Sequence, residues 1–343
     1  MLVAKIVLVY TLILFLSNKT SAFQCGSQAE GALCREGLCC SKWGWCGTDE
    51  NYCGESNCQS QCPPPPPPFP PAPPLFPENL SRLVTEEIFN YILMNRDNVA
   101  CPARRFYTRQ AFLTAAESFP EFGNTGIVPF RAKEVAAFFA HTSHATNGKA
   151  VGDEKEDYTW GYCIKKAEST NDESFCVPST EYPCFPGKKY YGRGPFLLSY
   201  NILYGRAGEA LGLDLLRFPE LVELDPVVAF KTAIWFWMTS PHSPTPSCHR
   251  LPTRTWIPSS EDVSNGRFFG FGITTNIING PSECGRGQDP RVANRIAFYQ
   301  RYTNVFRTDP GFHLDCYSQR PFDHTWYPIE KPTLSSLPST AAM

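Results

Sequence analysis

The sequence predicts two unlike domains on one chain: a small disulfide-rich module, then a larger and mainly α-helical domain. Three observations carry that expectation. Eight of the 15 cysteines fall between Cys25 and Cys62. Eleven of the 32 prolines fall between Pro63 and Pro77. Beyond Glu78, apolar residues recur at helical spacing behind good capping residues, while strand signals are few and short. A uniform single domain is thereby excluded, and an odd cysteine count excludes complete intramolecular pairing. The 343 residues allow one sizeable core besides the small module. A net charge of −2, with 19% charged residues, offers no basic face for nucleic acid. A hydrophobic fraction of 42% is that of a globular chain.

Residues 1–22 read as a signal peptide: Lys5, an apolar run from Ile6 to Leu16, then Thr20, Ser21 and Ala22 before a cleavage point at Phe23. The run is too short to span a bilayer, and no later stretch approaches roughly 18 uninterrupted apolar residues, so no membrane partner is expected. Entry to the secretory pathway permits disulfides. It also makes Asn79-Leu80-Ser81 a candidate glycosylation sequon.

A module spanning 23–62 cannot bury enough apolar surface to fold unaided, so its eight cysteines must be its framework. Eight cysteines permit about 105 pairings, and spacing alone does not choose among them. Zinc is the other use of dense cysteine, but the module has no histidine and an oxidising compartment favours disulfides. Trp43 and Trp45 sit among these cysteines, with Tyr52 just beyond. Flat rings on a stapled scaffold can stack on a pyranose face while a hydroxyl such as that of Ser41 orients the sugar. The alternative is that the rings form the module's own miniature core.

The spacing C-x8-C-x4-CC-x5-C-x6-C-x4-C-x3-C, with Ser-x-Trp-Gly-Trp-Cys-Gly inside it, closely resembles the hevein-type chitin-binding domain. The resemblance implies disulfides Cys25–Cys40, Cys34–Cys46, Cys39–Cys53 and Cys58–Cys62. It also implies a shallow N-acetylglucosamine site from Ser41, Trp43, Trp45 and Tyr52, all of which keep the family's residue type.

Residues 63–77 lack most backbone donors and should run as polyproline II. At about 3.1 Å per residue the stretch spans roughly 45 Å, a spacer between two domains.

The large domain is expected over 78–320, with a C-terminal tail over 321–343. Ser81 can cap a helix carrying Val84, Ile88, Tyr91 and Ile92 on one face, and Thr108 can cap the next, to about Ser118. Residues 131–144 form a third. Asp225-Pro226 opens a helix through Trp237, and Asp289-Pro290 opens another reaching about Phe306. The run Asp153–Asp157 reads as a solvated loop. His141 and His144 lie one turn apart, but no third ligand accompanies them, so neither a metal nor a cofactor is expected.

Several segments carry a second resemblance: Phe138–His144, Trp160-Gly161-Tyr162-Cys163, Tyr191–Pro195, Phe230–Met238 and Thr275–Gly280. They resemble family 19 chitinases from about residue 79 to 320, and with the hevein-type module and linker they give the layout of a plant class I chitinase. The resemblance implies a lysozyme-like α-helical fold with a long sugar cleft. It also implies disulfides Cys101–Cys163, Cys176–Cys184 and Cys284–Cys316, leaving Cys248 free.

Inverting hydrolysis of a β-1,4 glycosidic bond needs two carboxyls across the cleft, one protonating the leaving oxygen and one activating water from the opposite face. The family's acid is the Glu of a Ser-His-Glu-Thr motif, which here reads Ser143-His144-Ala145-Thr146. Its base lies four residues after the Cys of Trp-Gly-Tyr-Cys, and counting from Cys163 gives Ala167. Between them, Gly148-Lys149-Ala150 replaces the family's Gly-Gly-Trp. In the predicted helix around Ser199, that serine, which helps hold the attacking water in the family, is retained. The family's sugar-contacting Gln, Tyr and Asn have become Leu197, Ile202 and Leu203. His144, Lys231, Asn279 and Arg295 fall on retained cleft positions. Glu168 adjoins the base position, but a one-residue step turns a side chain by about 100° on a helix, or to the opposite face of a strand. Glu154 and Glu156 belong to the solvated run.

The expected function is therefore that of a secreted, defence-related protein binding chitin or N-acetylglucosamine oligomers as a monomer, without hydrolysing them. The alternative is an active endochitinase of fungal cell walls working with substitute carboxylates, and a third reading keeps the remodelled cleft for another glycan. The destination is extracellular or vacuolar, with Leu337–Met343 as a short apolar candidate propeptide.

Overall fold

A computed structural model of the chain describes residues 24–62, 69–70, 79–148, 158–167, 174–239 and 245–323. The signal peptide, most of the proline-rich stretch, the tail beyond 323, and Glu154, Glu156 and Glu168 lie outside these residues. The chain divides into two compact units, 1–68 and 69–343.

Among the described residues of the first unit the buried apolar ones are all cysteines: Cys25, Cys34, Cys39 and Cys40. Covalent bonds replace a core, as so short a module requires. Strand β1 (Cys39–Ser41) is the centre of a three-stranded antiparallel sheet, flanked by β2 (Cys46–Gly47) and β3 (Cys58–Ser60). Cys40 lies opposite Cys46 on one side and Ser60 on the other. Helix α1 (Glu50–Cys53) starts where the Asp49 carboxylate accepts the Asn51 N–H at 2.9 Å. Four disulfides, Cys25–Cys40, Cys34–Cys46, Cys39–Cys53 and Cys58–Cys62, tie these pieces together.

The second unit is helical. Its helices are α2 (Leu80–Leu83), α3 (Glu86–Ile92), α4 (Arg109–Ala116), α5 (Val128–Ala145), α6 (Asn201–Leu211), α7 (Leu221–Leu224), α8 (Pro226–Met238), α9 (Ser260–Ser264), α10 (Phe271–Glu283) and α11 (Pro290–Val305). The Asp-Pro starts behave as expected: Asp225 accepts from the Val227 and Val228 N–H groups, and Asp289 from that of Arg291. Thr108 caps α4. The helix expected from Ser81 is instead two. Asn79 caps α2, Val84 leaves the helical region, and the Thr85 hydroxyl accepts the Ile88 N–H to start α3 afresh. Asn79 is exposed and uses its oxygen as the cap.

Helix α5 packs along α11, and α4 along α8. Between them lies a ring-rich core in which Phe89, Phe112, Phe138, Phe139, Phe230 and Trp237 are fully buried. Within it the Glu134 carboxylate accepts from Trp237 Nε1 at 3.0 Å, from His249 Nδ1 at 2.6 Å and from the Gly123 N–H at 3.0 Å. Burial opposes the His249 charge, but the hydrogen bond and charge of Glu134 outweigh it and raise the imidazole pKa above 6.5. Cys101–Cys163, Cys176–Cys184 and Cys284–Cys316 are bonded, and Cys248 is a free buried thiol whose pKa burial pushes up.

Candidate functional site

The residues singled out in the sequence fall in both units, each built differently. In the small unit a tight turn between β1 and β2 carries the two tryptophans. The Ser41 N–H donates to the Trp45 carbonyl at 2.9 Å, and the Ser41 hydroxyl accepts the Trp45 N–H at 3.2 Å. Gly44 closes the turn at φ +82°, a conformation that costs glycine nothing. The turn leaves Trp43 55% and Trp45 40% exposed, so neither ring is spent on a core. Lys42 Nζ lies 4.6 Å from the centre of the Trp43 ring. Tyr52, on α1, lays its ring over Gly47, where any side chain would overlap it. Ser41 is almost completely buried, and its contact with Trp45 shows that it also fixes the turn, a role its residue type alone did not reveal.

In the large unit Ala145 is the last residue of α5, half-buried. Side chains just before it anchor this helix end: Thr142 bonds the Tyr162 hydroxyl at 2.7 Å and Ser143 that of Tyr302 at 2.8 Å. The Thr146 carbonyl then accepts from the Cys163 and Ile164 N–H groups, which fixes the start of the segment leading to Ala167. The Ala167 N–H donates to the Gly192 carbonyl at 2.8 Å. Gly192 is in turn crowded by Ser199, whose Oγ would lie 3.2 Å from a Cβ built there. Gly192 is thus a shared neighbour of Ala167 and Ser199. Ser199 is not within a helix: it precedes Tyr200, the residue at φ +71° from which α6 starts, and its hydroxyl donates to the Leu197 carbonyl at 2.8 Å. Leu203 is buried in an apolar cluster with Tyr190, Leu198 and Tyr204, so this leucine joins the packing.

A polar network lies behind the end of α5. Arg295 donates to both oxygens of Glu283 at 2.8 Å, and Asn279 Nδ2 donates to Glu283 Oε1 at 2.6 Å. Pro281 interrupts α10, and Asn279 departs from helical geometry at the kink. Burial disfavours the Glu283 charge, but Arg295 outweighs it and draws the carboxyl down to about 2. His144 Nδ1 meets Asn294 Oδ1 at 2.7 Å; burial and then the Arg295 charge lower its pKa to about 3, so it is neutral. His141 contacts Thr274 and Arg295. The two histidines are thus engaged with separate partners. Among the described residues, Lys231 forms no hydrogen bond or ion pair with this group; it sits half-buried on α8.

Glu283 was missed by the sequence reading. Its position four residues after Asn279 in an otherwise uncharged helix, and twelve before Arg295, was the available signal.

Two family descriptions match the chain: chitin recognition protein over residues 24–62, and chitinase class I over residues 83–316. The chain belongs to the class I chitinase family. Among relatives of this family, endochitinase CH25 of Brassica napus is 52% identical over 317 residues, covering 92% of this chain and 95% of its own. A protein from Hevea brasiliensis named inactive chitinase-like protein 1 is also 52% identical, over 302 residues, covering 88% of this chain and 94% of its own. The class IV family 19 chitinase of Zea mays superposes with a TM-score of 0.53 at 33% identity, covering 68% of this chain and 98% of that structure. Chitinase C of Streptomyces griseus gives 0.55 at 34%, covering 68% and 97%. The chain thus joins a hevein-like chitin-binding domain to a helical class I chitinase domain. In this member neither Ala145 nor Ala167 supplies an ionisable group.

Proposed function

We propose that this class I chitinase relative binds chitin without cutting it. The observation that carries this reading is the pair Ala145 and Ala167, at the two positions where the family resemblance calls for the general acid and the general base. Among the described residues, the carboxylates of Glu283 and Glu134 do not substitute. Glu283 is ionised and held by Arg295, so it has no proton to give near neutral pH. Glu134 is fully buried and engaged on both oxygens. A relative of equal identity that is named inactive supports the same reading.

Binding rests on Trp43, Trp45 and Tyr52 stacking on N-acetylglucosamine rings, with Ser41 fixing their turn. The N-terminal 22 residues and the family support secretion to an extracellular or vacuolar destination and a role in defence; we take the chain to act as a monomer. No helix among the described residues is long and apolar enough to cross a membrane.

Incubating the purified full chain with chitin hexamer and measuring reducing ends tests the proposal. The expected release equals that of a heat-killed control, while the same protein is retained on a chitin column. Release well above that control would replace this reading with that of an endochitinase using other carboxylates.

A further inference from the structure

On the large unit a cavity of about 250 Å³ opens between α5, the loop after Cys248–Arg250, the start of α10 and the segment 309–313. Neither Ala145, Ala167 nor Glu283 lines it. Its floor is already ordered. The rings of Tyr299 and Phe271 stack at 4.1 Å and 5°, and the other face of Phe271 is covered by His141 at 4.5 Å and 14°. Thr274 locks this stack, donating to the Phe271 carbonyl at 2.6 Å and accepting from His141 Nε2 at 2.8 Å. The Tyr299 hydroxyl donates to the Pro310 carbonyl at 3.2 Å. A floor fixed in advance spares a ligand the cost of ordering it.

With both faces of Phe271 covered, the cavity meets its edge, the electropositive part of an aromatic ring. The mouth is cationic. The Arg254 guanidinium lies over the rings of Phe130 and Phe269, at 4.9 and 5.5 Å from their centres. Lys133 extends toward the turn at Gly311. The carboxylate in the lining is Asp309, whose Oδ1 already accepts the Gly311 N–H at 2.9 Å. Ring edges below and two cations above select a flat, electron-rich ring that carries an acid group. We propose that this cavity binds a small aromatic carboxylate, its ring against Phe271 and Tyr299 and its acid group between Lys133 and Arg254.

Calorimetric titration of the full chain with 1-naphthoate, beside its neutral counterpart 1-naphthalenemethanol, tests the proposal. The acid is expected to bind at least tenfold more tightly than the alcohol. Lys133→Gln with Arg254→Gln should remove that tenfold while retention on a chitin column is unchanged. Because the exposed tryptophans of the small unit could hold a naphthyl ring, the titration is repeated on Trp43→Ala/Trp45→Ala, where binding should persist. Absence of saturable binding at millimolar naphthoate would overturn the proposal. So would equal affinity for the alcohol, undiminished affinity in the Lys133/Arg254 variant, or loss of binding in the tryptophan variant.

Discussion

The two units belong to families that handle the same polymer, and they hold their geometry by opposite means. The small unit is fixed by four covalent bonds, which frees its large rings to remain at the surface. The large unit is fixed by a ring-rich core and by buried ion pairs, and its chemistry would depend on a few ionisable groups at the core's edge. In the first case the groups proposed to bind lie on the frame itself. In the second, the groups that would react add little to the frame, so they can disappear without disturbing it. Alanine at the last position of α5 is the best helix former available, and the network behind it remains intact.

The largest expected effect tests whether the missing pair alone separates this domain from an active one. Positioned acid–base catalysis contributes about 10²–10⁴-fold per group. Ala145→Glu with Ala167→Glu should therefore raise release of reducing ends from chitin hexamer by at least about 10²-fold. Either single substitution should give much less, because the two groups act as a unit. No gain in the double variant would place the loss also in Leu197, Ile202 and Leu203, and the contrast between a preserved frame and a missing pair would fail.

A second test removes frame instead of chemistry. Arg295→Met leaves Glu283 buried without its partner, which costs about 3–5 kcal/mol. The measurement is the thermal transition of the large unit, and a loss below about 1 kcal/mol would show that the pair is not part of the frame. The same pair predicts an acid limb. Glu283 is lowered from 4.5 to about 2, so its stabilisation is complete above pH 4.5 and disappears as pH falls toward 2, a change of about 3 kcal/mol. Arg295→Met should flatten that limb.

This difference in construction also explains what the sequence disclosed. Cysteine spacing specifies a stapled module almost completely, because few other interactions compete to position its rings. Caps such as Thr108, Asp225 and Asp289 are local, and they were legible. The break at Val84 was not, because two adjacent caps, Asn79 and Thr85, compete over seven residues and periodicity does not decide between them. Glu283 escaped notice because its role comes from a partner twelve residues away, beyond the end of one helix and the start of the next. Leu203 stands where the family has a sugar contact, and only its neighbours Tyr190 and Tyr204 show that it also serves the packing.

For the small unit, replacing both exposed tryptophans by alanine should reduce affinity for N-acetylglucosamine trimer by roughly tenfold per ring, at about 1.4 kcal/mol each. The disulfide frame should hold, and an unchanged far-ultraviolet spectrum with lost retention on chitin is the expected pair of results. Retention by this variant would mean that the large unit binds the polymer by itself.

The smallest effect separates the two frames by pH. The folded state raises the His249 pKa above 6.5 through Glu134, so the protonated form is favoured by folding. Its contribution is fully present below pH 6.5 and is lost as pH rises through the folded value. Cys248 pushes the same way only near the top of this window, where an unfolded thiol begins to ionise and burial keeps the folded one protonated. Between pH 6.5 and about 8.5 the thermal transition of the large unit should therefore fall, and His249→Gln, which has no charge to lose, should flatten the trend. The small unit, held by disulfides that do not titrate, should show no such slope. A large-unit transition that stays level or rises over this window in the unsubstituted chain would remove the His249–Glu134 pair from the frame, and with it half of the physical contrast between the two units.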